Sequence, residues 1–132
     1  MKLSAQAASA AADAVCAQLD GGVLRLYDGD IPATANTPLA SQTLLAELAF
    51  DSPAFDPAIE GAALGHLSGI NDAPASGTAT FCLAITSDFD PVFLGTVGLV
   101  GSGSDCEMRG TTSIVEHGVV SVASVTYTQP LA

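Results

Sequence analysis

Two close carboxylate pairs, Asp28 with Asp30 and Asp88 with Asp90, are the side chains in this sequence best spaced to do chemistry. Paired carboxylates can divide general acid and general base roles, or share a Ca2+ ion with nearby carbonyls. Both pairs lie in turn-rich stretches, Asp28-Gly29-Asp30-Ile31-Pro32 and Ser87-Asp88-Phe89-Asp90-Pro91. Asp is favoured in such stretches because its side chain hydrogen-bonds the nearby backbone, so the turn role outweighs the catalytic one. A weak Ca2+ site in the Asp28 loop stays open, since turn carbonyls would complete it.

The other reactive types are sparse. His66 and His117 are the only imidazoles. Glu116 and His117 adjoin in sequence, which points their side chains apart in an extended segment. No G-x-S-x-G elbow supports a Ser/His/Asp triad, and His117 reads as the cap of an exposed turn. Gly101-Ser102-Gly103-Ser104 has the glycines of a phosphate loop but neither its G-K-[ST] ending nor a following helix. Cys16, Cys82 and Cys106 lack the paired spacing of a zinc site. Cys82 falls in an apolar strand pattern, where a free thiol acts as a small buried hydrophobe. A Cys82–Cys106 disulfide stays open, although the cysteine usage suits a reducing cytoplasm. Catalytic residues, a metal and a cofactor are therefore not expected.

The elements that position these residues begin with a helix over 4–19. Ser4 is its N-cap, and nine of the sixteen residues from Ser4 to Leu19 are Ala or Leu. Gly21-Gly22 supplies the stop. Leu3, Ala7, Ala11, Val15 and Leu19 recur on one side as a narrow stripe of mostly small side chains, suited to close approach of a sheet or another subunit.

Everything after Gly22 reads as β. The expected strands are 23–27, 42–50, weak pieces at 59–67 and 69–73, the clear 80–86, its hairpin partner 92–97, then 104–108, 111–115 and 119–128. Residues 42–50 carry helical spacing as well, and strand is chosen because the surroundings are β. The Pro-rich 52–57 reads as a loop. In 80–86, Thr80, Cys82, Ala84 and Thr86 share one face and Phe81, Leu83 and Ile85 the other. Some eight short strands with Gly, Pro and Asp turns predict a mainly β fold. The expected architecture is an antiparallel β-sandwich, Ig-like or jelly-roll-like, with one N-terminal α-helix. Residues 1–132 form a single domain, with the sandwich over 23–128.

Charge excludes more than any motif includes. Lys2, Arg25 and Arg109 stand against fourteen carboxylates, a formal net charge of −11. Nucleic-acid binding needs clustered cations to neutralise phosphates, and so does peripheral binding to anionic membranes. No run of eighteen apolar residues is present to span a bilayer. After Met1-Lys2-Leu3 the chain is too polar for a secretory signal. Partners are then neutral, basic or further copies of the chain. Arg25, the one cation inside an expected strand, either anchors a carboxylate across an interface or pairs with an acid on its own surface.

Several segments carry a resemblance. They are Leu19-Asp20-Gly21-Gly22-Val23-Leu24-Arg25-Leu26-Tyr27-Asp28-Gly29, Ile31-Pro32-Ala33, Leu39 to Leu48, Ala75-Ser76-Gly77-Thr78-Ala79-Thr80-Phe81, and Val119-Val120-Ser121-Val122. Together they resemble a family of small structural, decoration- or cement-like proteins of tailed bacteriophages and prophages. The resemblance implies a virion component made in the host cytoplasm and placed on the capsid exterior. Its partners would be the major capsid protein and other copies of itself, a trimer matching the local threefold axes of an icosahedral shell. The expected interface is Leu3, Ala7, Ala11, Val15, Val23, Arg25 and Tyr27. A tail or neck component is the alternative within that setting. A carbohydrate-binding β-sandwich module is the alternative outside it, although the sequence has no Trp for sugar stacking. An enzyme ranks last.

Overall fold

A computed structural model describes residues 1–130. The chain is mainly β with one N-terminal helix, α1 (Ala5–Ala17). The strands are β1 (Val23–Tyr27), β2 (Leu44–Phe55), β3 (Ala62–Leu67), β4 (Gly77–Thr78), β5 (Phe81–Ile85), β6 (Pro91–Leu99), β7 (Cys106–Met108), β8 (Ser113–Ile114) and β9 (Val122–Thr128). The main sheet is a closed barrel in the order β1-β2-β3-β9-β7-β6-β5, and β4 pairs with β8 in a separate two-stranded sheet. This corrects the expected sandwich: β1 pairs with β5 as well as β2, and that contact closes the sheet on itself.

One neighbour pair, β6 with β7, is parallel, which corrects the all-antiparallel expectation. Parallel neighbours ordinarily need a crossover of a dozen or more residues. Here the chain returns in a tight loop, because Gly98 has no Cβ. Such an atom would lie 2.5 Å from both the Ser102 and Ser104 hydroxyls. Gly101 and Gly103 take the positive φ angles of the return. The Thr96 backbone N–H and hydroxyl both donate to Asp105 Oδ2, and Asp105 N–H donates back to Thr96 Oγ1, which locks the re-entry.

Small residues set opposite large ones fill the barrel. Leu24 lies between Leu48 and Ala84, and Leu26 between Ala46 and Cys82. All belong to one buried cluster with Cys106, Met108 and Val125. Large-small alternation suits the taper of a small barrel, and it accounts for the Ala-rich composition. The other face of β5 is buried too. Phe81, Leu83 and Ile85 join Tyr27 in a second cluster on the outer wall, packed by Val23, Leu44, Leu94 and Ala35 of the β1–β2 connection.

Both ends of the barrel are covered. Helix α1 lies where β2 ends and β3 begins: Asp20 accepts from Ala54 N–H, Asp13 from Ala58 N–H, and Ser9 from Gly61 N–H. At the other end β4 packs against Leu45 and Asp28, and Ile114 of β8 joins the core. The helix starts as expected, with Ser4 Oγ accepting from Ala7 N–H. It stops two residues short of the expected Leu19, where the chain turns into Gly21 and Gly22.

Its buried face differs from the expected stripe. Ala8, Ala12 and Cys16 face the barrel, with Leu19 buried just beyond the helix, whereas Leu3 and Ala7 are exposed and Ala11 and Val15 half-buried. Leu19 packs as expected, and the other four members of the expected stripe lie one residue, or about 100°, from the packed face. Strand β2 runs on through Pro53, against the expected loop at 52–57. Its register with β3 shifts between Phe50 and Phe55, and this bulge takes Pro53 out of the ladder. The piece at 69–73 is reduced to a single bridge between Ile70 and Val120.

Candidate functional site

The residues expected at an interface fall into two separate places. Leu3, Ala7, Ala11 and Val15 lie along α1, while Val23, Arg25 and Tyr27 lie on the outer face of β1. Tyr27 is only 5 % exposed and packs within its own chain, so it offers no surface to a partner. Arg25 sits opposite Glu47 in the β1–β2 register, and its Nε donates to Glu47 Oε2 at 2.8 Å. Of the two roles open to Arg25 in the sequence, the intrachain pair is the one this structure forms. Burial works against its charge, but the Glu47 carboxylate and the Tyr27 hydroxyl together outweigh that and hold the pKa above its ordinary value. The guanidinium also lies 5.8 Å from the ring centre of Phe89 in the β5–β6 turn. Phe89 is 69 % exposed and has a positive φ of 67°, an uncommon backbone for a bulky residue.

The carboxylate pairs take turn roles. Asp28 Oδ1 accepts from Thr43 N–H and ties the start of β2 to the end of β1. The Asp30 carbonyl accepts from Gln42 Nε2. In the second pair the N–H groups of Asp88 and Asp90 both donate to Thr86 Oγ1, which folds the hairpin turn. Among the described residues no three His, Cys, Asp or Glu side chains gather in a group able to hold a metal ion. In the glycine loop the Gly103 N–H donates to Glu107 Oε2, so the chain's own carboxylate occupies it.

Each histidine has an acid partner that its sequence neighbours gave no sign of. His66 Nε2 is 2.9 Å from Asp56 Oδ1, and His117 Nδ1 is 2.7 Å from Asp72 Oδ1. His117 occupies a turn with φ 65°, as its turn role requires, and Asp72 raises its pKa. The three cysteines are buried free thiols. The neighbouring Cys106 thiol, then burial, push Cys82 well above the ordinary cysteine range.

One groove stands apart from these local pairs. It has a volume of about 290 Å³ and runs between the C-terminal half of α1 and the end of β2. Its apolar lining is Cys16, Ala17, Pro53, Phe55 and Pro57, and its carboxylates are Asp13, Asp20 and Asp56. Burial, followed by the charges of Asp13 and Asp20, raises the Cys16 thiol to about 11. The carboxylates follow from local folding: Asp13 and Asp20 staple the helix to the end of β2, and Asp56 meets His66 on β3.

No helix among the described residues is long and apolar enough to cross a membrane. Comparison with known protein families, curated proteins and solved structures found no match to this chain.

Proposed function

We propose that this chain is a structural protein of a tailed-bacteriophage virion: a capsid decoration protein that bridges and stabilises major capsid subunits. The observation that carries the reading is the meeting of the two segments most specific to the phage-protein resemblance. Gly21–Gly29 and Ala75–Thr80, far apart in sequence, lie side by side. Strand β1 pairs with β5 so that Tyr27 faces Phe81. The Thr80 hydroxyl donates to the Gly29 carbonyl at 2.8 Å, and Gly77 packs against Asp28. These two segments thus meet at one place, the β1–β5 seam that closes the barrel.

The physical character of the molecule supports the same role. A filled barrel covered at both ends is a rigid block that presents surfaces. The net charge of −11 repels packaged nucleic acid and suits the outer side of a shell. Exposed Val115 and Val119 flank the β8–β9 turn, and Ile59, Leu64, Leu99 and Val100 are also exposed, which gives apolar points of attachment. Further copies of the chain, as a trimer at local threefold axes, would complete the assembly.

Mass spectrometry and electron microscopy of particles from the strain that encodes the chain test the proposal. The protein should be present in purified particles, with density on the outer face of the capsid between neighbouring subunits. Density confined to the tail or neck would assign it there instead, and absence from purified particles would reject a virion role.

A further inference from the structure

The groove between α1 and the end of β2 combines an apolar floor with negatively charged walls. The geometry points to this groove as a docking site for a lysine-bearing polypeptide segment, whose side chain lays its methylenes on Phe55 and Pro53 and sets its ammonium among Asp13, Asp20 and Asp56. Long basic side chains bury their stems on apolar surface while keeping their charge in polar surroundings, which is the division this groove presents. Its volume of about 290 Å³ lies at the lower end for small-molecule sites and fits one long side chain better than a cofactor.

The charge argument commits the occupant. Each carboxylate engages one oxygen: Asp13 with Ala58 N–H, Asp20 with Ala54 N–H and Asp56 with His66. Those bonds hold the groups in place. Among the described residues the second oxygens have no hydrogen-bond partner. Among the described residues no Lys or Arg of the chain meets them, and the one basic group at the groove is the His66 imidazole on Asp56. Arg25 pairs with Glu47, Arg109 lines a different depression, and Lys2 precedes the far end of α1. Three carboxylates around one apolar floor disfavour an anion and leave a neutral apolar guest without a partner for the charge. The inference does not rest on the capsid reading: it concerns the isolated protein and holds or fails wherever that protein resides.

Amide chemical shifts of the labelled full chain provide the test. The probes are a capped peptide with one lysine between leucines, the same peptide with norleucine replacing lysine, and spermidine. The lysine peptide should shift the amides of Cys16, Ala17, Ala54 and Ala58 in a saturable way, more weakly as NaCl rises from about 20 to about 300 mM. Asp13→Asn and Asp56→Asn should each weaken binding by about tenfold. Asn keeps an oxygen acceptor for Ala58 N–H, so Asp13→Asn removes the charge and retains the staple. An unchanged amide spectrum outside the groove in the free variants verifies the fold. Equal binding of the norleucine peptide, shifts scattered over the acidic surface, or no shifts at all would overturn the proposal. Spermidine binding as tightly as the peptide would assign the groove to small amines and overturn a polypeptide partner.

Discussion

Tyr27 and Phe81 stack with ring centroids 5.3 Å apart and planes 11° from parallel, directly opposite each other in the β1–β5 register. The pair lies on the outer wall of the barrel, yet Phe81 is fully buried and Tyr27 nearly so. The strand pair that closes the barrel is therefore buried on both faces, with Leu26, Cys82 and Ala84 inside and the two rings outside. Phe81→Ala should destabilise the fold by about 3–5 kcal/mol. Urea unfolding would measure it, and a loss below about 1 kcal/mol would mean that the outer cluster adds little.

Gly22 marks a second rigid point. A Cβ there would run into the backbone carbonyl of Ile85, an atom that cannot swing aside as a side chain can. Gly22 N–H also donates to Leu19 O, and its carbonyl accepts from Phe50 N–H, so the residue is pinned from two sides. Gly22→Ala should cost about 1–3 kcal/mol or more, whereas Gly21→Ala, with open space around it, should cost only what its positive φ imposes. Thermal melts of the two variants would separate steric clash from backbone strain.

Arg25 and Glu47 form an ion pair whose side chains remain 25 % and 41 % exposed. A double-mutant cycle with Arg25→Ala and Glu47→Gln should give a coupling of about 0.2–1 kcal/mol, lower in high salt. If Arg25 turned to a carboxylate of a capsid subunit it would first have to leave Glu47. Glu47→Gln should in that case strengthen capsid binding, and Arg25→Ala should weaken it.

How far the sequence reveals this molecule depends on the distance over which each residue acts. Strands β1 and β5 were legible because Val23–Tyr27 and Phe81–Ile85 lie in β-rich runs bounded by turn residues. The end of the helix was marked by Gly21-Gly22. Its packed face was not legible, since an Ala-rich helix presents similar hydropathy all round, and half-buried Val15 marks one side as strongly as buried Cys16 marks another. Pro53 read as a loop because strand ladders exclude proline, and a bulge relieves that exclusion without any local sign. Closure depends on which distant strand β1 meets, and alternation within β1 carries no such information. The acidic groove was missed for a related reason: Asp13 and Asp20 are brought to Asp56 only by tertiary packing. The partners Asp56 and Asp72 of the histidines were hidden in the same way.

The His117–Asp72 pair predicts a pH effect. The hydrogen bond and charge of Asp72 raise the His117 pKa above its ordinary value of 6.5, so the folded chain holds that proton more tightly than the unfolded one. The pair's stabilisation is fully present below pH 6.5 and is lost as the pH rises through the raised value. An NMR titration should place the His117 midpoint above 6.5, and Asp72→Asn should move it down. An unmoved midpoint in that variant would show that the pair does not persist in solution.

Cys16 reports on the groove. With a thiol pKa of about 11, it should react slowly with iodoacetamide at mildly alkaline pH, because little thiolate is present. Asp13→Asn should speed alkylation, since removing that charge lowers the pKa, while burial still restrains the rate. Equal rates in the two proteins would indicate that access, not charge, governs this thiol.

Closure of the main sheet also decides how the molecule behaves among many copies of itself. An open sheet ends in strands whose unpaired N–H and C=O groups can template pairing with a neighbour. In this barrel every strand of the main sheet has a partner on each side, and β4 and β8 are only two residues long. Copies packed side by side on a repeating lattice would therefore meet through side chains alone. They would stay discrete at high local concentration, with no edge strand in the main sheet from which a fibre could grow.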